Sequence, residues 1–303
     1  MNIVSKVKKI KKEIVGQISF DADLSKFSWF NLGGPAKILF RPNNLKELST
    51  FIKQIQGTNS IKVLGGGSNT LIRDGGFNGI IIKFGKNFSH LSLFDSNTII
   101  AGASVLDKNV ANFALENSLS GFEFLSCIPG TIGGGVRMNC GCYGEDISKI
   151  LVSVQVMDFS GKVRIIKASD IKFKYRGSNL ESELIFISAS FKGKKDNRNK
   201  IQNKMSRFIE RKKNTQPSKI KTCGSTFKNP ESKKAWELIK NAGCSGMKVG
   251  GAQISEKHCN FFINNGNAKS EDLEKLIFQV RNKVFEKTGI NLELELQIIG
   301  NQT

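Results

Sequence analysis

LGGGSNTLIRDGGFNG, residues Leu64–Gly79, places six glycines in sixteen positions. A stretch this bare either lets main-chain N–H groups approach a ligand or serves turns that need unusual φ values. No Lys follows the glycines as in a phosphate-binding P-loop, and Gly65-Gly66-Gly67 lacks the spacing of a dinucleotide-binding Gly-x-Gly-x-x-Gly. Consecutive turn N–H groups can still hold an anion such as a diphosphate without a Lys. Two further small-residue segments follow, AGA at 101–103 and SCIPGTIGGGVRMNCGCYG at 126–144.

Around these turns the pattern is mixed. IKVLG (61–65), GIIIKF (79–84) and NTIIAGASV (97–105) read as strands, and LKELSTFIKQIQ (45–56) and LDKNVANFALENSL (106–119) as amphipathic helices. ILVSVQVMDFSGKVRIIKA (150–168) contains two alternating runs joined at Ser160-Gly161, a hairpin signal, and ELIFISASF (183–191) supplies another strand. A polar, basic stretch with a helical middle leads to Pro217 and a domain boundary. Beyond it, AWELIKNAG (235–243) predicts a helix stopped by Gly243. SEDLEKLIFQVRNKVFEKTG (270–289) predicts a helix capped by Ser270 and stopped by Gly289, and LELELQIIG (292–300) predicts a closing strand.

The chain has 303 residues, 39% hydrophobic and 24% charged, which suits a soluble multi-domain protein. No stretch approaches the ~20 apolar residues of a membrane span, and the basic N-terminus has no apolar block or cleavage site of a secretory signal. A cytoplasmic protein is expected. The net charge of +20 suits an anionic partner. Because 37 of the 46 basic residues are Lys, dispersed through the chain, rather than the forked guanidinium of Arg, nucleic acid is not the expected partner. The six cysteines form no Cys-x-x-Cys pair, and only His258-Cys259 neighbours a histidine, so neither a metal site nor a disulfide framework is expected.

The ordered set LGGGSNTLI, AGA, IPGTIGGGVRMNCGCYG, YRGS, CGSTFKNP, AGCSGMKVGGAQISEKHCNFFIN and LELELQIIG, spread from about Phe30 to Gly300, resembles the UDP-N-acetylenolpyruvoylglucosamine reductase (MurB) family. The resemblance implies an α+β fold: a two-part FAD-binding domain of the vanillyl-alcohol oxidase (PCMH) type over 26–200, split near 95, after an N-terminal helical extension over 1–25, and a smaller α+β substrate-binding domain over 201–303. It implies FAD held by Gly65, Gly66, Gly67, Ser68, Asn69, Gly102, Ala103, Pro129, Gly130, Thr131, Gly133, Gly134, Asn139 and Gly144, with Arg73 a further candidate.

The implied reaction reduces the enolpyruvyl ether of a UDP-sugar to a lactyl ether in peptidoglycan synthesis, with NADPH as reductant and a monomeric enzyme. Hydride arriving at the vinyl carbon leaves negative charge on the neighbouring carbon and its carboxylate, which demands a preorganised donor and an acid. Arg176 would be the donor, Ser225 the acid, and Glu295 would assist, with Tyr175, Lys213, Lys228 and Asn229 binding the substrate. Read without the resemblance, Arg176 is a surface Arg at a strand end, Ser225 sits in a tight turn and Glu295 lies on a solvated face. Two other readings differ in class: another FAD-dependent dehydrogenase or oxidase, and a cationic nucleic-acid-binding protein. The chain has no Tyr after Tyr175. It therefore resembles the shorter members of the family, which lack a tyrosine loop over the nucleotide.

Overall fold

The computed structural model describes residues 3–57 and 60–303. The chain divides into two compact units: one from the segment ending at Phe20 with Ile38–Gly66 and Gly79–Lys212, the other from Asp21–Lys37, Gly67–Asn78 and Lys213–Thr303. The segments are thus interleaved, whereas the sequence reading set unbroken spans with boundaries near 25 and 200. In the N-terminal helix Ile3–Ile10, Val7 and Ile10 lie buried in one core with Ile38, Phe40 and Phe51.

In the first unit the hairpin forms where Ser160-Gly161 announces it. Leu151–Met157 pairs antiparallel with Val163–Lys167, and Asp158 closes the turn by accepting from the N–H groups of Ser160 and Lys162. Ile185–Lys192 and Thr98–Gly102 extend this sheet antiparallel, and Leu91–Leu93 ends it. A second sheet sets Phe77–Ile82 parallel to Ile61–Val63. The helices Leu45–Gln54 and Asp107–Glu116 bury Leu48, Phe51 and Ile52 and Ala111, Ala114 and Leu115 respectively, the i, i+3, i+4 spacing of an amphipathic helix.

The bare segment 126–144 is not wholly a loop. Ile132–Met138 is a helix containing three consecutive glycines. Gly is the poorest helix former after Pro, so packing must favour it here. A Cβ on Gly133 would stand 3.1 Å from the Ala103 Cβ, and one on Gly135 would stand 3.0 Å from Cys140 Sγ and 3.1 Å from Asp107 Oδ1. Ile132 and Val136 are buried on the same face as Gly135, and Asn139 in the left-handed region ends the helix.

In the second unit, Thr70–Ile72 pairs parallel with Gln297–Ile299, which ties residues 67–78 to the chain's end. Only these last residues of LELELQIIG join a ladder; Leu292–Leu296 is held by single contacts, with Leu292 and Leu296 buried. Helix Ser270–Thr288 buries Leu273, Leu276, Ile277, Val280 and Val284 and ends at Gly289 with φ 69°. Its cap differs from the expected Ser270. That residue is already helical, and its hydroxyl donates to Ile72 O at 2.6 Å. The orphan N–H groups of Ser270 and Glu271 are taken by the Asp74 carboxylate, at 3.0 Å each, and Asp272 accepts from Lys269 N–H. Replacing Asp74 by Ala therefore removes two cap bonds. A loss of about 1–2 kcal/mol is expected, read as a lower urea midpoint with an unchanged slope.

Candidate active site

In the first unit, the glycine turns meet main chain to main chain. A Cβ on Gly66 would lie 3.1 Å from Gly130 Cα, and one on Gly65 would lie 2.9 Å from Thr131 Oγ1. The AGA turn joins them: Ala103 O accepts from Gly133 N at 3.0 Å, and Ile132 N donates to Val105 O at 2.9 Å. Gly102 is required, since a Cβ there would clash with Phe88 O. Gly134 and Gly144 are exposed, and added Cβ atoms there would meet at most a distant Thr131 oxygen. Gly65, Gly66, Gly130, Thr131, Gly133 and Ala103 thus come together as a surface mostly of main chain, one that a diphosphate could approach closely.

Beneath the first turn lies a residue that the sequence reading missed. Lys83 Nζ donates to Gly65 O, and burial together with the charge of Arg41 pushes its pKa down to about 8. Its signal was a lone Lys interrupting the apolar run GIIIKF.

Arg176 sits at the tip of the hairpin formed by Phe173–Lys174 and Gly177–Ser178, with φ 57°. A left-handed conformation is costly for a residue with a Cβ and marks a constraint. Its Nη2 donates to Gly141 O at 2.9 Å, and the guanidinium lies 4.9 Å over the half-exposed Tyr175 ring. Asn139 anchors this hairpin: Nδ2 donates to Lys174 O and Oδ1 accepts from Ser148 N. The side chain of Asn139, 3% exposed, is thus engaged with the chain itself.

In the second unit, Gly67 takes φ 69° and a Cβ there would strike Phe27 O; its carbonyl accepts from Trp29 N at 3.1 Å. Asn69 Nδ2 donates to Glu295 O at 2.9 Å, while Asn69 O accepts from Gln297 N. Thr226 O accepts from both Glu295 N and Leu296 N, and Ser225 bridges to Phe261. Ser225 and Glu295 are therefore on adjoining strands of chain, both half-buried. Among the described residues nothing bonds the Ser225 hydroxyl, which sets it apart from the self-bonded turn Ser that the sequence alone suggests.

The remaining sequence candidates are engaged or outlying. Lys228 pairs with the exposed Glu293 at 3.3 Å, and Asn229 Oδ1 accepts from Ala235 N at the start of helix Ala235–Asn241. Lys213 is exposed and its carbonyl accepts from Lys257. Arg73 is held by Glu274, both Nε and Nη2 donating to the carboxylate. Ser68 is half-buried beside Asn69. His258 lies between Trp236 and Phe261, with burial lowering its pKa. Among the described residues no three His, Cys, Asp or Glu side chains are grouped to hold a metal, and all six cysteines are free.

Residues 36–167 match a model described as an FAD binding domain, and residues 216–299 match the C-terminal domain of UDP-N-acetylenolpyruvoylglucosamine reductase. The chain is thus an FAD-dependent oxidoreductase with an α+β fold. It is 49% identical over 299 residues to a UDP-N-acetylenolpyruvoylglucosamine reductase of Pelagibacter ubique, covering 98% of this chain and 99% of that one. It is 47% identical to that of Rickettsia prowazekii, covering 95% and 97%. The crystal structure of the Thermus caldophilus enzyme superposes with a TM-score of 0.81 at 29% identity, covering 94% of this chain and 99% of that one. The chain belongs to the UDP-N-acetylenolpyruvoylglucosamine reductase family.

Asp107, which the sequence reading passed over, starts helix Asp107–Glu116, is fully buried, and neither carboxylate oxygen has a hydrogen-bond partner among the described residues. Burial pushes its pKa up to about 8. Its proton is retained in the fold and lost in the unfolded chain near pH 4, so stability is greatest below pH 4 on this account and falls as pH rises toward 8. Each tenfold difference in proton affinity is worth about 1.4 kcal/mol. The Asp107→Asn protein is expected to lack this decline, and urea unfolding of both proteins from pH 5 to 8 reads it. Parallel curves would show that Asp107 does not titrate in this window.

Proposed function

We propose that the chain reduces UDP-N-acetyl-3-O-(1-carboxyvinyl)-glucosamine to UDP-N-acetylmuramate with NADPH, as a monomer, in cytoplasmic peptidoglycan precursor synthesis. The observation that carries this reading is that Thr226 O accepts from Glu295 N, which sets Ser225, the neighbour of Thr226, beside the chain segment of Glu295. Family membership supports the substrate class. FAD, which the glycine turns of the first unit would hold, would supply the hydride chemistry, with NADPH as its reductant. NADPH and the UDP-sugar would use one site in turn, in keeping with the lack of a dinucleotide-binding Gly-x-Gly-x-x-Gly.

The residues then divide the work. The glycine turns would hold the FAD diphosphate through N–H groups, with Lys83 fixing the Gly65 carbonyl so that the turn keeps its shape. Arg176, its fork preset by the hairpin and by Gly141 O, would meet the substrate carboxylate and stabilise the charge that grows there. Ser225 would deliver its proton to the adjacent carbon. A hydroxyl is a weak acid, yet the carbanionic carbon is far more basic, so position decides the rate. Glu295, its backbone clamped by Asn69 and Thr226, would offer its carboxyl group to the substrate. Tyr175, Lys213 and Lys228 would contact the UDP portion, and Asn229 would act from its helix cap.

Ser225→Ala separates the half-reactions. Flavin reduction by NADPH should stay near normal, while reoxidation by the enolpyruvyl substrate falls ~10² to 10⁴-fold, the usual cost of a lost general acid. Stopped-flow absorbance reads both, with folding checked by thermal unfolding. Normal reoxidation would remove Ser225 from the mechanism. Arg176→Lys should keep the charge but lose the fork and slow the same half-reaction by at least ~10-fold.

A further inference from the structure

Helix Ile132–Met138 carries near its end a charged side chain that the proposed reaction does not use. Arg137 Nη1 donates to Leu180 O at 3.3 Å and to Glu181 O at 2.7 Å, and Nη2 donates to Ser182 O and Leu184 O at 3.1 Å each. The guanidinium also lies 4.9 Å from the centre of the Phe186 ring. Four carbonyls within five residues thus turn toward one cation. A planar fork with several N–H donors can serve that many acceptors, whereas a Lys ammonium is a single point. Residues 179–184 belong to no strand or helix, so their carbonyls have no ladder to satisfy them.

This stretch is the chain that leaves the Arg176 hairpin and enters strand Ile185–Lys192. Asn179 closes the base of the hairpin: its N–H donates to Lys172 O at 3.2 Å and its Oδ1 accepts from Lys172 N at 2.8 Å. Asn139 holds Lys174 O on the entering arm, and Gly141 O receives Arg176 at the tip. Residues 137, 139 and 141 of one segment therefore hold the leaving chain, the entering arm and the tip. The Arg164–Glu181 pair on the same stretch, at 3.0 Å, is exposed and of the kind that contributes little.

We propose that Arg137 is a positioning residue, which by gathering the carbonyls of residues 180–184 holds the Arg176 hairpin where its guanidinium can meet the substrate carboxylate. Its effect on the reaction rests on the reductase reading, whereas its hold on the hairpin rests on the bonds alone. Arg176 has φ 57°, a conformation that a residue with a Cβ keeps only when its surroundings enforce it. The hairpin cannot do so by itself, because Phe173–Lys174 and Gly177–Ser178 pair over two residues each and an isolated two-stranded hairpin is marginal. Anchors outside it supply the rest, and Arg137 is the one that makes four bonds.

The test is a double-mutant cycle on the full-length, flavin-loaded protein, read by stopped-flow absorbance without oxygen. Arg137→Ala should leave flavin reduction by NADPH within ~2-fold of normal and slow reoxidation by the enolpyruvyl substrate ~10 to 10²-fold, the cost of a catalytic group displaced by about 1 Å. In an Arg176→Ala background the same change should slow reoxidation no more than ~2-fold further, because the group it positions is gone. Equal slowing in both backgrounds, a joint fall of both half-reactions with loss of flavin, or normal reoxidation in Arg137→Ala each overturns the proposal. Arg137→Lys keeps the charge without the fork and should fall between; it replaces the Ala variant in the cycle if that protein does not fold. Hydrogen exchange reads the hairpin without substrate. Amides of residues 172–184 should exchange at least ~10-fold faster in the variant, since one hydrogen bond to a charged group is worth about that factor, while those of strand Leu151–Met157 stay unchanged. Unchanged exchange over 172–184 overturns the proposal. Wild-type reduced flavin that the enolpyruvyl substrate fails to reoxidise would instead refute the reductase reading, and the exchange result then decides whether Arg137 holds the hairpin.

Discussion

The carbonyl of Thr226 accepts two N–H groups, from Glu295 at 2.9 Å and Leu296 at 3.2 Å. That double acceptance brings the segment after Gly224 against the last segment of the chain, two stretches some seventy residues apart in sequence. Asn260 locks the first of them: its carbonyl accepts from Thr226 N, and its side chain accepts from Phe227 N while donating to Phe227 O. Asn69 locks the second by donating to Glu295 O. The backbone from which the Ser225 hydroxyl and the Glu295 carboxyl project is thus held at several points, one part of the preorganisation that proton delivery would require.

The first unit meets a different constraint. A Cβ at Gly66 or Gly133 would be crowded, 3.1 Å from Gly130 Cα and from Ala103 Cβ, and one at Gly102 would clash with Phe88 O. What a side chain would have filled becomes a surface of main-chain groups. The charged residues around it act indirectly: Lys83 holds the Gly65 carbonyl, and Arg137 takes the carbonyls of Leu180, Glu181, Ser182 and Leu184.

Local periodicity was enough to read the hairpin at Ser160-Gly161, the helix Ser270–Thr288 and the strand Ile185–Lys192, because each obeys one period over many residues. It failed where a distant partner decides. The helix Ile132–Met138 reads as a loop since its glycines answer to Ala103 and Asp107, not to helix propensity. Ser270 reads as a cap until Asp74, far away in sequence, takes that role. Residues 21–37 and 67–78 leave no local sign of packing with the C-terminal segment. At the site, the ordered motifs pointed to Arg176, Ser225 and Glu295, but Lys83 and Asp107 carry no motif, and only burial among apolar neighbours marks them.

The central claim is that one flavin accepts electrons from NADPH and passes them to an enolpyruvyl UDP-sugar. The direct measurement is flavin absorbance of the wild-type protein without oxygen. NADPH should bleach the band, and adding the enolpyruvyl substrate should restore it with one lactyl ether formed per flavin reoxidised. A band that NADPH bleaches but the substrate leaves bleached would contradict the account.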